Sequence, residues 1–279
     1  MKKKAILTTI IFTGVAASGY AASPAPYEDG RPQASLRLDA TDQGVVLRHG
    51  SGPNQCDSLG ARDIWVWQAD GTYYLHYDGA GPKGWLACLA TSQDLEHWKA
   101  RGPALDFGAS DRNDSAAASY LMFFSASTES PIFRTISLAR TRDLNGPWTL
   151  AAEPLLPPTE QIENSSLYFE KENNTWFLFT NHVGFKAGME YTDAIWVYWS
   201  KDLTKWDPAH KAVVLDSANC KWSKHIIGLP SVVPMGKRLA IFYDGQDADP
   251  IPPGFKNHMN RDIGLAWLNL PLAIPTKNP

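Results

Sequence analysis

Carboxylate side chains lie at the starts of several strand-like segments of this chain. Glu163 opens one such segment in "QIENSSLYFE", Asp63 precedes another in "ARDIWVW", and Asp114 stands in "NDSAAAS". A carboxylate in such a place is often a turn former or a solvated cap. A carboxyl group held in a cleft can instead transfer a proton as a general acid or base. Which interpretation applies depends on the elements that position these residues.

A repeated phrase shows how those elements are organised. The segments "ACLATSQDLEHW", "ISLARTRDLNGPW" and "VYWSKDLTKW" share an apolar strand, an Asp-Leu pair and a closing tryptophan, and "RDIGLAWLNL" is a degenerate copy. The copies lie roughly 50 to 60 residues apart, a period typical of propeller blades. The recurring aspartates Asp94, Asp143 and Asp202 are therefore predicted to form turns, with no role in chemistry.

The order within each repeat favours four-stranded blades. Asp70-Gly71 separates two alternating runs and is a strong hairpin signal. Many turns, abundant aromatic residues and few helical periodicities also indicate an all-β protein. We predict a five-bladed β-propeller, with one truncated or missing blade, because "SDRNDSAAASY" leads into "LMFFSAS" without a hairpin turn.

With these segments assembled, the chain resembles the five-bladed propeller glycoside hydrolases, the superfamily of arabinanases, β-xylosidases, levansucrases and invertases. The resemblance is closest to the family 43 and family 117 type. The phrases that carry it are "DGTYYLHYDG", "LATSQDLEHW", "IENSSLYFE" and "RDIGLAWL", and they span the chain from about Arg48 to Leu270.

The resemblance implies a catalytic site at one end of the central channel. In those enzymes an aspartate is the general base, a second aspartate tunes the acid, and a glutamate is the general acid. The matching positions are Asp63, Asp114 and Glu163, although Ile64 replaces the usual proline and Asn164 the usual glycine. Hydrolysis with inversion is expected, with the acid and base about 6.5 to 9.5 Å apart to admit a water molecule.

Further side chains are candidates for binding a sugar. They are Arg62, His182, His258 and Trp222, and Trp85 could also stack on a sugar ring. Each has a structural alternative, namely an ion pair for the arginine, a hydrogen-bonded position for the histidines and blade-core packing for the tryptophans. Asp57 is the alternative to Asp63 because Asp-Ser recurs as Asp57-Ser58 and Asp114-Ser115.

Two other classes of function stay open at this point. A carbohydrate-binding propeller without catalysis would keep the fold and lose the reaction. A purely structural interaction propeller would have no carboxylate cluster in its channel. The expected partner is a carbohydrate bound by a monomer, and a net charge of −3 without a basic patch argues against nucleic acid or an anionic membrane.

The first residues of the chain predict where the protein is localised. Three lysines and a short apolar run precede small residues, which indicates a signal peptide over residues 1–21 and a single propeller domain over residues 22–279. We expect a periplasmic or secreted protein. The sequence requires no cofactor and predicts no catalytic metal, and the resemblance is compatible with a calcium ion in the channel.

The three cysteines, Cys56, Cys88 and Cys220, allow one disulfide. Cys88 lies in an apolar strand, where a buried free thiol is expected. Cys56 and Cys220 precede the first and last blades, which are neighbours in a closed ring. We therefore predict a disulfide between Cys56 and Cys220, as an oxidising compartment would permit.

Overall fold

The structure is a computed structural model that describes residues 32–82, 84–103, 120–128, 132–142, 147–186, 189–247 and 259–276. The predicted signal peptide lies outside these residues. The strands are β1 (Leu36–Arg37), β2 (Thr41–Leu47), β3 (Gly60–Ala69), β4 (Thr72–Gly81), β5 (Gly84–Ser92), β6 (Lys99–Pro103), β7 (Tyr120–Ser127), β8 (Arg134–Thr141), β9 (Thr149–Leu150), β10 (Ile162–Glu170), β11 (Thr175–Lys186), β12 (Met189–Ser200), β13 (Lys211–Asp216), β14 (Ile227–Met235), β15 (Arg238–Gly245) and β16 (Asp262–Asn269). Across these ranges no helix has the length and apolar character to cross a bilayer.

The strands form the antiparallel blades of a β-propeller. Blade one is β3-β4-β5-β6, blade two is β7-β8-β9, blade three is β10-β11-β12-β13 and blade four is β14-β15-β16-β2. The inner strands follow one another as β3, β14, β10 and β7. The prediction of an all-β propeller is confirmed. The count of five blades stays a prediction, since residues 104–119, ahead of blade two, lie outside the described residues.

The core lies between the faces of neighbouring blades. On β4, Tyr73, Leu75 and Tyr77 alternate toward one side, where they join Phe242 and Leu265 of blade four. This period of two is what a strand with one buried face requires. The predicted hairpin at Asp70-Gly71 joins β3 to β4, and both turn residues have positive φ, at 48° and 76°. Such angles fit the two-residue hairpin that the Asp-Gly pair indicates.

The N-terminal strand β2 completes blade four by pairing with β16. A buried network holds this outer strand in place. The Tyr243 hydroxyl donates to Asp42 Oδ1 at 2.5 Å, and the backbone N–H of Lys221 donates to Asp42 Oδ2 at 2.6 Å. The chain therefore closes its last blade with a strand from its own beginning.

Replacing Asp42 with alanine should destabilise the protein by about 2 to 4 kcal/mol, because two buried donors would lose their acceptor. Equilibrium urea unfolding would measure the change. Replacing the exposed Asp39 with alanine is the control and should cost about 0.5 kcal/mol or less. An unchanged unfolding midpoint for the Asp42 variant would contradict the proposed closure by this network.

The recurring Asp-Leu phrase is a tight turn held by side chains. In its first copy the Ser92 hydroxyl accepts the N–H of Leu95 at 2.9 Å, and Asp94 Oδ1 accepts the N–H of His97 at 2.8 Å. The Trp98 indole donates to the carbonyl of Leu95 at 2.8 Å. The serine, aspartate and tryptophan thus satisfy backbone groups that the turn would leave unpaired.

The third copy repeats the arrangement. The Ser200 hydroxyl accepts the N–H of Asp202 at 3.0 Å, and the Trp206 indole donates to the carbonyl of Leu203 at 2.9 Å. The structural role predicted for Asp94 and Asp202 is confirmed. Asp143, in the copy between them, lies outside the described residues.

The predicted disulfide between Cys56 and Cys220 is wrong, because the two buried thiols lie in different core clusters. Cys220 Sγ lies 3.5 Å from the Tyr243 hydroxyl, whereas Cys56 belongs to the core cluster that contains Phe242. Tyr243 and Phe242 are consecutive residues of β15, so they point to opposite faces of blade four. The sheet of blade four therefore separates the two sulfurs.

Serine hydroxyls join the inner strands of neighbouring blades. Ser231 of β14 accepts the N–H of Val66 in β3 at 3.0 Å, and Ser166 of β10 accepts the N–H of Val232 in β14 at 3.0 Å. Ser125 of β7 accepts the N–H of Asn164 in β10 at 2.8 Å. These bonds satisfy edge N–H groups that a blade leaves exposed at the channel.

Candidate functional site

Three inner strands carry a β-bulge at the same end of the channel. Each bulge has one residue with positive φ, namely Asp63 at 55°, Asn164 at 53° and Leu229 at 54°. The register of each hairpin shifts at that point. Such bulges re-aim side chains and are frequent beside functional sites. The bulges, and the residues beside them, therefore define the candidate site.

The hairpin registers reveal which residues of the three blades are equivalent. Arg62 pairs with Asp78 in blade one and Glu163 pairs with Asn181 in blade three. Gly228 and Asp244 form the corresponding pair in blade four. By this register Glu163 corresponds to Arg62. Asp63, which the family resemblance matches to the general base, corresponds to Asn164 and not to Glu163.

Asp63 and Asp78 are neighbouring carboxyl groups at the start of blade one, because Asp78 pairs with Arg62, the residue before Asp63. Burial raises the pKa of Asp78, and the charge of Asp63 raises it further. The Arg62 guanidinium lies 3.0 Å from Asp63 Oδ2 and 4.8 Å from the ring centre of Trp85. Asp63 is thus the carboxyl group of the pair that Arg62 contacts.

Asp244 is a buried carboxylate close to this pair. It is fully buried, and the Arg261 guanidinium lies 2.8 Å from its Oδ1. Burial raises the pKa of Asp244, Arg261 opposes the rise, and the charge of Asp63 adds to it. Gly228 opens the space beside it, since a Cβ at Gly228 would lie 2.8 Å from the Thr192 hydroxyl and 3.2 Å from Asp244 Oδ1.

Glu163 lies on the blade-three side of β14. Its Oε2 is 3.3 Å from the Arg134 guanidinium of β8, and its Oε1 accepts a hydrogen bond from the Asn181 amide at 3.4 Å. Asn181 Oδ1 in turn accepts the Asn164 amide at 2.9 Å and the N–H of Leu229 at 3.4 Å. The acid predicted from sequence is thus paired with an arginine and held by asparagines of the same hairpin.

Predicted binding residues of the later blades take up buried positions. His182 is fully buried, its ring stacks on Trp196 at 3.8 Å between ring centres, and its Nδ1 lies 3.4 Å from Asp193. Trp222 donates its indole N–H to the Tyr243 hydroxyl at 2.7 Å. These contacts match the structural alternatives for both residues. Trp222 is partly buried in blade four, where its ring also lies beside Gly245.

The alternative to Asp63 is also resolved by its contacts. Asp57 is fully buried and accepts hydrogen bonds from the Tyr77 hydroxyl and the N–H of Gly52, both at 2.9 Å. Asp57 therefore holds the loop ahead of β3. Asp114 and His258 lie outside the described residues, so their predicted roles stay predictions.

Sequence reasoning missed Asp78 and Asp244, although a signal for them exists. Both occur in the tripeptide Tyr-Asp-Gly, in "LHYDGAG" and "IFYDGQD", at the same point of the second strand of a blade. The glycines matter because a Cβ at Gly79 or Gly245 would lie within 2.8 Å of a neighbouring side chain. Within the described ranges, no group of three or more His, Cys, Asp or Glu side chains is arranged to hold a metal ion.

Replacing Asp78 with asparagine should stabilise the protein at neutral pH. The raised pKa of Asp78 means that the folded state binds its proton more tightly, so the stability of the native protein falls as pH rises through that pKa. Asparagine removes this loss. The gain in Tm should therefore be present at pH 7 and disappear in acid, below the pKa of an unfolded aspartate.

Thermal unfolding at several pH values would measure the effect of the Asp78 variant. Exposed Asp70, in the same hairpin, supplies the matched control, and its change to asparagine should leave the pH dependence of Tm unaltered. A lower Tm for the Asp78 variant at pH 7 would contradict the carboxyl pair.

The fold and these contacts together define a β-propeller whose channel end carries carboxylates, three of them paired with arginines. Solved structures share this fold. The catalytic domain of the GH62 α-L-arabinofuranosidase of Coprinopsis cinerea is 12% identical, with a TM-score of 0.54, over 83% of this chain and 97% of that one. The Podospora anserina α-L-arabinofuranosidase in complex with cellotriose is 12% identical, with a TM-score of 0.52, over 84% and 98%.

A GH62 hydrolase in complex with xylotriose is also similar, with 14% identity and a TM-score of 0.51 over 83% of this chain and 97% of that one. At these identities the likeness establishes the propeller fold. No protein-family model matches the chain, and no curated protein matches it in sequence.

Proposed function

We propose that the protein is a glycoside hydrolase that cleaves glycosidic bonds in poly- or oligosaccharides containing arabinose or xylose. The observation that carries the proposal is the Asp63–Asp78 carboxyl pair, set on a strained bulge at the channel end beside Arg62. Strain at a non-glycine residue is commonly kept where a side chain must be aimed for function. Propellers of similar fold are described as an α-L-arabinofuranosidase and as a hydrolase in complex with xylotriose.

In this proposal Asp63 is the general base and Glu163 the general acid. Asp63, which the Arg62 guanidinium contacts, draws a proton from a water molecule, and Asp78 lies beside it. Glu163, across the bulge of β14, gives its proton to the leaving oxygen. Attack by water on the face opposite the leaving group inverts the sugar. Asp114 keeps its predicted part of tuning the acid.

Arg62 and Trp85 are the proposed sugar contacts of blade one. Trp85 is 41% exposed and lies under the Arg62 guanidinium, so one part of the indole is free to receive the apolar face of a sugar. Arg62 could donate to a sugar hydroxyl while it keeps its contact with Asp63. His258 stays a proposed binding residue.

A carbohydrate-binding propeller without catalysis is the second candidate function. The observation that favours it is the ion pair of Glu163 with Arg134, because a general acid must be protonated and a neighbouring cation favours the carboxylate. For catalysis, Arg134 would have to leave Glu163 when substrate binds. For binding alone, the pair could hold sugar hydroxyls as it stands.

Localisation, oligomeric state and cofactor requirement are further parts of the proposal. The protein is secreted or periplasmic, acts as a monomer and needs no cofactor, and the family resemblance is compatible with a calcium ion in the channel. The short apolar run after three lysines supports secretion. Size-exclusion chromatography with light scattering, and activity measured with a chelator and with added calcium, would test the last two points.

A panel of arabinan, arabinoxylan and xylan oligosaccharides tests the proposed function. Product formation followed by proton NMR should show the anomer opposite to that of the substrate, before mutarotation. Calorimetric titration of the same oligosaccharides covers the second candidate. Binding with no turnover would favour the carbohydrate-binding propeller, whereas release of the retained anomer would overturn the inverting mechanism.

A further inference from the structure

Two thiols meet inside blade one. Cys56 follows a short 3-10 helix ahead of β3, and Cys88 lies in the middle of β5. Both are buried in the same apolar cluster, and each thiol is near enough to the other to shift its pKa. Cys220 has a different environment, because it contacts Tyr243 on the other face of blade four.

Gly79 of β4 makes this close approach possible. A Cβ at Gly79 would lie 2.6 Å from Cys88 Sγ and 2.8 Å from the carbonyl oxygen of Cys56. The Cys56 backbone and the Cys88 sulfur therefore flank a single position that only glycine leaves empty. A side chain there would push the loop of Cys56 away from β5.

We propose that Cys56 and Cys88 form a disulfide when the protein folds under oxidising conditions. Bridged cysteines need Cα atoms about 4.4 to 6.8 Å apart, and a bridge of this length fits two residues that pack around Gly79 in one cluster. Cys220 stays a free thiol. The bridge does not depend on the proposed function, and its failure would leave the carboxylate site unaffected.

The reaction is thiol–disulfide exchange with an external disulfide. One cysteine attacks as thiolate and displaces a thiol, and the second cysteine then attacks the mixed disulfide. Two protein thiols lose two protons and two electrons, and the external disulfide is reduced to two thiols. Burial raises the pKa of both cysteines, that of Cys88 to about 12, so exchange in the folded protein is slow and the bridge forms during folding.

The bridge would fasten the loop that starts the inner strand of blade one. That loop contains Asp57, which already binds the Tyr77 hydroxyl. The covalent link closes a loop of roughly 30 residues and so limits the unfolded chain. Because β3 begins four residues after Cys56, the link fixes the approach to Arg62 and Asp63.

Counting thiols in the full chain tests the proposal. Protein refolded with glutathione disulfide is unfolded in guanidinium without reductant and treated with iodoacetamide. Mass spectrometry should find one modified cysteine, Cys220, and a peptide pair that links Cys56 to Cys88. Three modified cysteines, or a linked peptide that contains Cys220, would overturn the proposal.

Variants give a second, independent readout. The Cys220→Ser variant should show no modified cysteine, and reduction should lower its Tm by about 10 °C, as it does for the parent protein. The Cys56→Ser variant should show two modified cysteines and a Tm that reductant does not change. A Tm of Cys56→Ser that falls with reductant as much as that of Cys220→Ser would contradict the bridge.

Discussion

The Glu163→Gln variant should lose between about 100-fold and 10,000-fold in kcat on natural oligosaccharides, the range that a general acid supplies. Glutamine keeps the size of the side chain and its contact with Asn181 but has no proton to give. The KM should change little, because the ground-state contacts remain. Initial rates of sugar release, measured on arabinoxylan oligosaccharides, would give both constants.

A second substrate separates proton donation from a structural effect. Aryl glycosides with a strongly acidic phenol as leaving group need little protonation, so Glu163→Gln should retain much more of the parent activity on them. Exposed Glu172, in the turn of the same hairpin, is the matched control, and Glu172→Gln should behave as the parent. Equal losses on both substrates would remove Glu163 from the role of acid.

Lys211→Met should lower the free energy of unfolding by about 3 to 5 kcal/mol, the cost of leaving a buried charge without its partner. Lys211 Nζ lies 2.5 Å from Glu160 Oε2, which also accepts the Tyr198 hydroxyl at 2.6 Å, and both charged side chains are buried. The lysine also lies 5.2 Å from the ring centre of Trp196. A drop in Tm of about 10 °C is expected for a chain of this size.

A double-mutant cycle isolates the contribution of this pair. Adding Glu160→Gln to Lys211→Met removes the stranded charge, so the double variant should be more stable than Lys211→Met alone. Exposed Lys205, in the same blade, provides the control, and Lys205→Met should stay within about 0.5 kcal/mol of the parent. If the two single changes simply add, Glu160 and Lys211 are not coupled.

Features written in neighbouring residues could be predicted from the sequence. The Asp70-Gly71 hairpin and the turns closed by Trp98 and Trp206 depend on contacts within a few residues, so local chemistry specifies them. The same holds for placing Asp63 and Glu163 at the start of inner strands. For these two residues, the period of the repeat was enough to locate the strand and its first residues.

Features that depend on contacts between distant parts of the chain could not be predicted. A bulge adds one residue to a strand and shifts every later side chain, so the repeat alone could not show that Arg62, and not Asp63, corresponds to Glu163. Arg134 reaches Glu163 from another blade. The partner of Cys56 also depended on which face of a sheet each sulfur occupies.

The serine bonds between inner strands run in one direction around the propeller, because each serine accepts an N–H from the next inner strand. Ser231 and Ser166 each pair with the residue that lies two positions before Asp244 and Asn181, respectively, in the partner strand. In β3 the residue paired two positions before Asp78 is Trp65, which is 61% exposed. An indole ring has no oxygen to accept an N–H. Among the described strands, β3 therefore lacks the serine acceptor that β10 and β14 carry at this position, and an edge N–H of a strand beside it would need a different acceptor.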